Sequence, residues 1–321
     1  MKLRVAVLYG GRSGEHEVSL RSAESVIAAM DPEKYEVVRF FIGKDGRWDP
    51  APILPEPGAN PGIDVVFPAL HGTFGEDGAM QGLLELAELP YVGAGILGSS
   101  LAMDKDAMKR ICRTSGLPVV DHIVVYRERL NADPFFDYPV FVKPANLGSS
   151  VGISKARNGA EFRAALDLAA AYDRKIVVEP AIDGRELECA VLGNGDPVAS
   201  LPCEVLPSRE FYDYEDKYLC DAAEFKLPAA LTPEQTAEVR RLAVACYIAV
   251  ECEGMARVDF FLENSGRILL NEINTIPGFT SISMFPRMWA EAGLAYPRLI
   301  DRLIELALER HRSRRTTRYS R

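Results

Sequence analysis

The sequence predicts an α/β chain, passing into α+β in its second half, that divides into two or three domains. Three observations carry that reading. With 321 residues, 48% of them hydrophobic, the chain exceeds what one hydrophobic core ordinarily organises. Short apolar runs alternate with segments of helical period up to about residue 100. From there onward, strand-length runs follow one another across turn residues with fewer helices between them.

The apolar run 3–8 ends in Gly10-Gly11, and Leu20, Ala23, Val26, Ile27 and Met30 then recur at helical spacing, which reads as strand, glycine loop and helix. A strand over 37–42, a turn at Asp45-Gly46, a strand over 65–68 and a helix over about 78–89 continue the alternation and predict a parallel sheet covered by helices. The segment 99–115, with a serine cap and Gly116 at its end, reads as one complete helix. A first boundary is therefore expected near residue 100, making 1–100 an N-terminal α/β domain.

Strands over 123–126, 140–143 and 151–154 come next, then a helix opened by Asn158-x-x-Glu161 like a capping box. Strands over 176–179 and 186–192 complete a central unit, 101–190. The stretch 207–228 is charged, aromatic and without period, the mark of a long functional loop. Thr232-Pro233-x-Gln235 opens a helix to about residue 250, and strands over 257–263 and 267–274 flank Asn264-Ser265-Gly266. These make a third unit, 191–312, followed by a basic, disordered end at 313–321 within the run HRSRRTTRYSR.

The net charge of -9 argues against nucleic acid as a partner, and no aromatic residues are interleaved with the basic run. No window has the length of uninterrupted apolar residues that a membrane span needs, and MKLRVAVLYGG lacks a small-residue cleavage site, so a cytoplasmic protein is expected. Cys112, Cys189, Cys203, Cys220, Cys246 and Cys252 are scattered without a Cys-x-x-Cys pair, which reads as neither a disulfide framework nor a zinc site.

The most informative segment is ARVDFFLENSGRILLNEINTIPG. If Ser265-Gly266 is a two-residue turn, Asp259 falls opposite Glu272 and Arg257 opposite Asn274. Opposed side chains on adjacent strands have Cβ atoms roughly 5 Å apart, so two facing carboxylates need a neutralising charge. The oxygen ligands of Asp259, Glu272 and Asn274 favour magnesium, which commonly completes its shell with nucleotide phosphates. An ordinary solvated hairpin face remains the other reading of this segment alone. Upstream, PVFVKPANLGSSVGIS sets Lys143 at a strand end before a glycine-serine loop whose amides and hydroxyls suit phosphate, although it matches neither a Walker loop nor a dinucleotide fingerprint. Lys105 and Lys217 add two more cations, and VVEPAIDGRELECAV reads as a hairpin turning at Asp183-Gly184.

Eight segments in order, GGRSGEHEVSL, HGTFGEDGAMQG, MDKDAMK, FVKPANLGSSVG, VEPAIDGRE, FYDYEDKYL, ARVDFF and NEINTIPGFTSIS, resemble the ATP-grasp superfamily and within it the D-alanine:D-alanine ligases, from the first strand to about residue 300. Where this chain has Ile276, that family often has leucine or serine. The resemblance implies a three-domain ATP-grasp architecture and ATP-dependent joining of two D-alanines through an acyl phosphate, for peptidoglycan. It implies that Lys105, Lys143, Ser150 and Lys217 contact ATP phosphates, that Glu179 and the backbone near Ile182 hold adenine, and that Glu186 holds ribose. Asp259, Glu272 and Asn274 would bind two magnesium or manganese ions. Glu15, linked to Ser149 and Tyr218, would anchor the first D-alanine's ammonium, with His71 near its carboxylate. Arg257 and the Gly278 amide would stabilise the oxyanion, while Ser283 and Lys217 receive the second carboxylate; a homodimer is also implied. Another ATP-grasp ligase or carboxylase, a non-catalytic nucleotide-binding module and a dinucleotide oxidoreductase are the competing readings. GGRSGE lacks the glycine spacing of the last, and retained lysines and acids speak against the module.

Overall fold

The computed structural model describes residues 2–148, 150–206, 224–280 and 282–318. The chain opens with β1 (Leu3–Gly10), α1 (His16–Ala29), β2 (Tyr35–Ile42), β3 (Trp48–Asp49) and β4 (Val65–Pro68). These strands form a sheet in the order β3-β2-β1-β4, in which β1 runs parallel to both β2 and β4 while β3 lies antiparallel on the edge. Both faces of β1 are covered, which explains its unbroken apolar run: Val5 and Val7 face one core, Ala6 and Leu8 another.

Three helices follow, α2 (Ala79–Leu86), α3 (Ile96–Met103) and α4 (Lys105–Thr114). The single helix expected over 99–115 is therefore two. The break falls at Asp104, whose extended backbone and side chain, accepting from the Ala107 N–H at 3.0 Å, start a new helix instead of continuing the old one. That turn places Lys105 at the first position of α4, with its backbone N–H on Ala145 O.

A second sheet, ordered β5-β8-β6-β7, consists of β5 (Ile123–Tyr126), β6 (Val140–Pro144), β7 (Ser154–Ala156) and β8 (Lys175–Pro180), all antiparallel and packed on α5 (Gly159–Tyr172). Asn158 caps α5 as expected, accepting from Ala160 and Glu161 N–H groups. The strand expected over 151–154 begins only at Ser154, because the Val151 and Ile153 amides are taken up in turns with Gly148 and Ser150 carbonyls.

The third sheet contains β9 (Gly184–Gly193), β10 (Val198–Ala199), β11 (Cys203–Leu206), β12 (Glu224–Lys226), β13 (Gly254–Glu263) and β14 (Ile268–Asn274). Its order is β12-β11-β9-β13-β14, with β10 on β9. The helix α6 (Pro233–Ala249) carries the expected Thr232–Gln235 capping box and packs on this sheet. The last helices are α7 (Met284–Glu291) and α8 (Tyr296–Arg314).

The hairpin expected at Asp183-Gly184 does not form. β8 pairs with β5 and β6, whereas β9 pairs with β11 and β13, so the chain crosses from one sheet to another between them. The sequence boundary at 190/191 consequently falls inside β9. Nor does the last helix stay with the third sheet. α7 and α8 share one core with β1, α1 and β4, through Val5, Val7, Phe67, Phe279, Phe285 and Leu303. Asp301 on α8 accepts from Lys34 and Tyr35, and Arg310 donates to Tyr91 O at 2.8 Å while lying over that ring. Since α8 is helical to Arg314, the start of the basic run is an ordered clamp on the first sheet and not the disordered end expected. Among the described residues, no helix is long and apolar enough to cross a membrane.

Candidate active site

The second and third sheets face each other across a cleft of about 370 Å³. The crossover between β8 and β9 places Pro180, Ala181 and Ile182 at its wall, and Lys143, Ser150, Glu179 and Glu186 also line it. On the opposite wall stand Arg257, Asp259, Asn271 and Glu272 from β13 and β14.

Register explains that second wall. Asp259 does lie opposite Glu272, and Arg257 opposite Asn274. The expected pairing is reached by a different path. Glu263 N–H bonds to Arg267 O, making the turn three residues long, Asn264-Ser265-Gly266, and a one-residue bulge at Asn271 restores the register beyond it. The bulge has a packing signature: Leu270 and Ile273 both enter the core, three positions apart, and the two residues between them both line the cleft. Asn271 Oδ1 thereby comes 3.5 Å from Lys143 Nζ.

On its other side, Asp259 pairs with Glu188 of β9, so three acids, Glu188, Asp259 and Glu272, form a row across three adjacent strands. Arg257 grips Asp259 with two hydrogen bonds of 2.8 and 2.7 Å and lies 3.2 Å from Glu188. Lys105, whose ammonium donates to Leu147 O at 2.7 Å, lies 3.5 Å from Glu272. Burial opposes the Arg257 charge, but Asp259 and Glu188 raise its pKa well above the usual value. Asn274 donates Nδ2 to Asp259 at 3.1 Å, so its carbonyl oxygen is the acceptor left outside that bond. Among the described residues there is no group of three or more His, Cys, Asp or Glu placed for a metal ion. The donors of Asp259, Glu272 and Asn274 are all oxygens, two carboxylates and an amide, and an acid row of three against two cations fits a hard divalent cation.

Glu179 sits almost fully buried at the end of β8, between Lys143 Nζ at 2.6 Å and Lys109 Nζ at 2.5 Å. Burial pushes its carboxyl up, but the two ammonium groups outweigh that and hold it at about 2. Burial likewise pulls the Lys109 ammonium down, while the carboxylate beside it favours the proton's retention.

A second recess is built from the first sheet and the loop after β14. His71 is buried, with Nδ1 at 3.0 Å from Ile276 O and Nε2 at 2.8 Å from Ser22 Oγ. A carbonyl brings no proton, so Nδ1 carries it and Nε2 accepts from Ser22; burial, only partly offset by Glu15, lowers the His71 pKa and keeps the ring neutral. Glu15, at the start of α1, presses on two glycines: a Cβ on Gly72 would come within 2.5 Å of Glu15 Oε2, and one on Gly148 within 3.0 Å. Gly72 also has φ +71, a second reason for glycine there. Glu76 accepts from the Gly72 and Ile276 amides at 2.8 and 3.3 Å, and burial, with the Glu15 charge, pushes its pKa up to about 8. A small cavity lined by Glu76, Lys105, Gly148, Glu272 and Asn274 lies between this recess and the acid row. Gly278 abuts Ser283, whose Oγ would be 2.7 Å from a Cβ at that glycine.

The family models for the D-ala D-ala ligase N-terminus and C-terminus match residues 4–60 and 54–94, and residues 111–305, respectively. A D-alanine–D-alanine ligase of Solibacter usitatus is 64% identical, with 100% of each chain covered. The chain belongs to the D-alanine–D-alanine ligase family. The ligase is also similar to the solved structure of the D-alanine–D-alanine ligase from Coxiella burnetii, with TM-score 0.88 and 39% identity over 98% of this chain and 96% of that one. A D-Ala:D-Ser ligase of Enterococcus faecalis matches with TM-score 0.87 and 34% identity over 96% of this chain and 100% of that one.

Of the ligase's expected site residues, Lys143, Ser150, Glu179, Ile182, Glu186, Arg257, Asp259 and Glu272 share the cleft. Lys105 and Asn274 adjoin Glu272 in the small cavity, and Glu15 and His71 meet in the recess. Gly278 and Ser283 touch each other. Ser149, Lys217 and Tyr218 lie outside the described residues. The sequence reading passed over Lys109, Glu76, Asn271 and Glu188. Lys109 and Glu76 lay inside the segments MDKDAMK and HGTFGEDGAMQG, while Asn271 could be found only through the bulge.

Proposed function

We propose that the ligase joins two D-alanine molecules into D-alanyl-D-alanine, with ATP converted to ADP and phosphate, to supply peptidoglycan synthesis. The observation that supports this most is the row Glu188, Asp259, Glu272, flanked by Arg257 and Lys105 and set between a lysine-lined cleft and the Glu15–His71 recess. ATP enters the cleft with its phosphates towards Lys105, Lys143, Ser150 and Lys217, its adenine at Glu179 and the Ile182 backbone, and its ribose at Glu186. Asp259, Glu272 and Asn274 would hold two magnesium or manganese ions, which supply neutralisation of the phosphate charge.

The first D-alanine lies with its ammonium at Glu15, supported by Ser149 and Tyr218, and its carboxylate near His71. That carboxylate attacks the γ-phosphorus, releasing ADP and giving an acyl phosphate. The neutral His71 adds no charge of its own, so the lysines and Arg257 dominate the local field. Lys217 and Ser283 receive the carboxylate of the second D-alanine. Its amine then attacks the acyl carbon, and the oxyanion is met by Arg257 and the Gly278 amide before phosphate leaves. A lid around Tyr218 keeps water from the acyl phosphate.

The division of labour follows three units, with the second boundary moved from 190 to the crossover at 181–183 between the sheets. A cytoplasmic location follows from the need for ATP. Exposed Leu86, Ile96 and Leu97 on α2 and α3 offer an apolar face for a homodimer. The reaction is tested by incubating the ligase with ATP, magnesium and D-alanine. ADP, phosphate and dipeptide in equal amounts, and none with L-alanine, are the expected result; ADP without dipeptide would refute it.

A further inference from the structure

We infer that Lys109 is a positioning residue that keeps Lys143 available to nucleotide phosphates by sharing the charge of Glu179 from behind. The inference rests on the nucleotide reading of the cleft. Lys105 and Lys109 are four residues apart on α4 and so lie on one face of that helix, both buried. Lys105 turns to Leu147 O and Glu272, while Lys109 turns to Glu179.

Glu179 has an ammonium group on each carboxylate oxygen: Lys143 Nζ at 2.6 Å from Oε2 and Lys109 Nζ at 2.5 Å from Oε1. The two lysines are not equivalent. Lys143 lines the cleft, whereas Lys109 has 0% exposure and is absent from its lining. Lys109 therefore cannot touch a nucleotide, yet its charge counts. One carboxylate with one lysine would be neutral towards a polyanion; with the second lysine behind it the cluster carries one net positive charge, displayed on the cleft side by Lys143. A wholly buried ammonium is costly unless paired, and Glu179 is the pair that makes it tolerable. In place of Lys109, a neutral side chain would let Glu179 hold Lys143 alone, and the phosphates would meet a cluster without net charge.

The test is a pair of dissociation constants, for ATP and for adenosine, on the full-length ligase and its variants. Adenosine reports the base and ribose contacts; the ratio between the two ligands reports the attraction for phosphate. Lys109→Met is expected to weaken ATP about tenfold while moving adenosine less than about twofold, a charge effect of the size seen for partly screened neighbours. In Lys109→Met/Glu179→Gln one positive charge is restored at Lys143 and no charge is left unpaired in the interior, so the ratio is expected to return to that of the wild type. If both ligands weaken alike in Lys109→Met, or if the double variant keeps a depressed ratio, Lys109 is only a structural ion-pair partner and the inference is overturned. Should Lys109→Met fail to fold, the ratio in the double variant decides alone. Lys143→Met is the control for the underlying reading: if it leaves ATP affinity unchanged, the cleft is not the phosphate site. ATP weakened by Lys143→Met but not by Lys109→Met overturns the inference and leaves the site intact.

Discussion

Replacing Arg257 by methionine removes the cation that the acid row leans on. Its guanidinium makes two bonds of 2.8 and 2.7 Å to Asp259 and lies 3.2 Å from Glu188, and both acids are largely buried. Glu188, Asp259 and Glu272 would then stand side by side on three strands with Lys105, at 3.5 Å from Glu272, as the nearest remaining cation named above. Breaking one partner of such a buried pair costs about 3–5 kcal/mol. For a chain of 321 residues the unfolding entropy is roughly 0.7 kcal/mol per degree, so Tm should fall by about 6 °C. Activity should fall much further, because a donor aimed at a developing oxyanion is worth about a hundred- to a thousandfold in kcat. Arg257→Lys separates the two effects: it keeps the charge but not the fork, and should recover most of the Tm while kcat stays low. The assays are ADP release at saturating ATP and D-alanine and a thermal melt. A kcat within threefold of the wild type in Arg257→Met would refute the oxyanion role, and an unchanged Tm would refute the ion-pair reasoning.

Other outcomes are expected elsewhere. Because Lys109 and Lys143 depress the Glu179 pKa to about 2, the stability it contributes is fully present above the usual carboxylate range and is lost as pH falls from about 5 towards 2; Glu179→Gln should flatten that acid limb in denaturant titrations at pH 3 and pH 6. His71→Ala strands Ile276 O and the Ser22 hydroxyl in the interior and should cost about 1–3 kcal/mol, with KM for D-alanine rising more than KM for ATP; equal changes in both constants would contradict its place in the amino-acid recess. Arg310→Met removes the donors to the Tyr91 and Gly93 carbonyls and the stacking on Tyr91, so it should lower Tm by several degrees, about 3 kcal/mol, with kcat near the wild type.

Much of the fold was legible because strand and helix periods are strong where one face is buried. The run 3–8, the strands at 65–68 and 123–126 and the Thr232 cap all appear where periodicity and capping chemistry put them. Asp104 was misread because a cap inside an otherwise helical segment looks like one more surface residue. The turn residues Asp183-Gly184 marked a change of direction but could not say which sheet the next strand would join. The acid pairing was reached although its premises were incomplete: a three-residue turn and the bulge at Asn271 shift the register by one step each, in opposite senses. Lys109 escaped notice because a lysine on a helix is normally solvated, and only tertiary packing shows this one sealed against Glu179.

The most direct test of the account follows an oxygen atom. D-Alanine labelled with oxygen-18 in its carboxylate is incubated with the ligase, ATP and magnesium, and the released phosphate is analysed by mass. One labelled oxygen in phosphate for each dipeptide formed is the predicted result, because the attacking carboxylate oxygen leaves with the phosphorus. Dipeptide accompanied by unlabelled phosphate, or label recovered in AMP with pyrophosphate released, would contradict it.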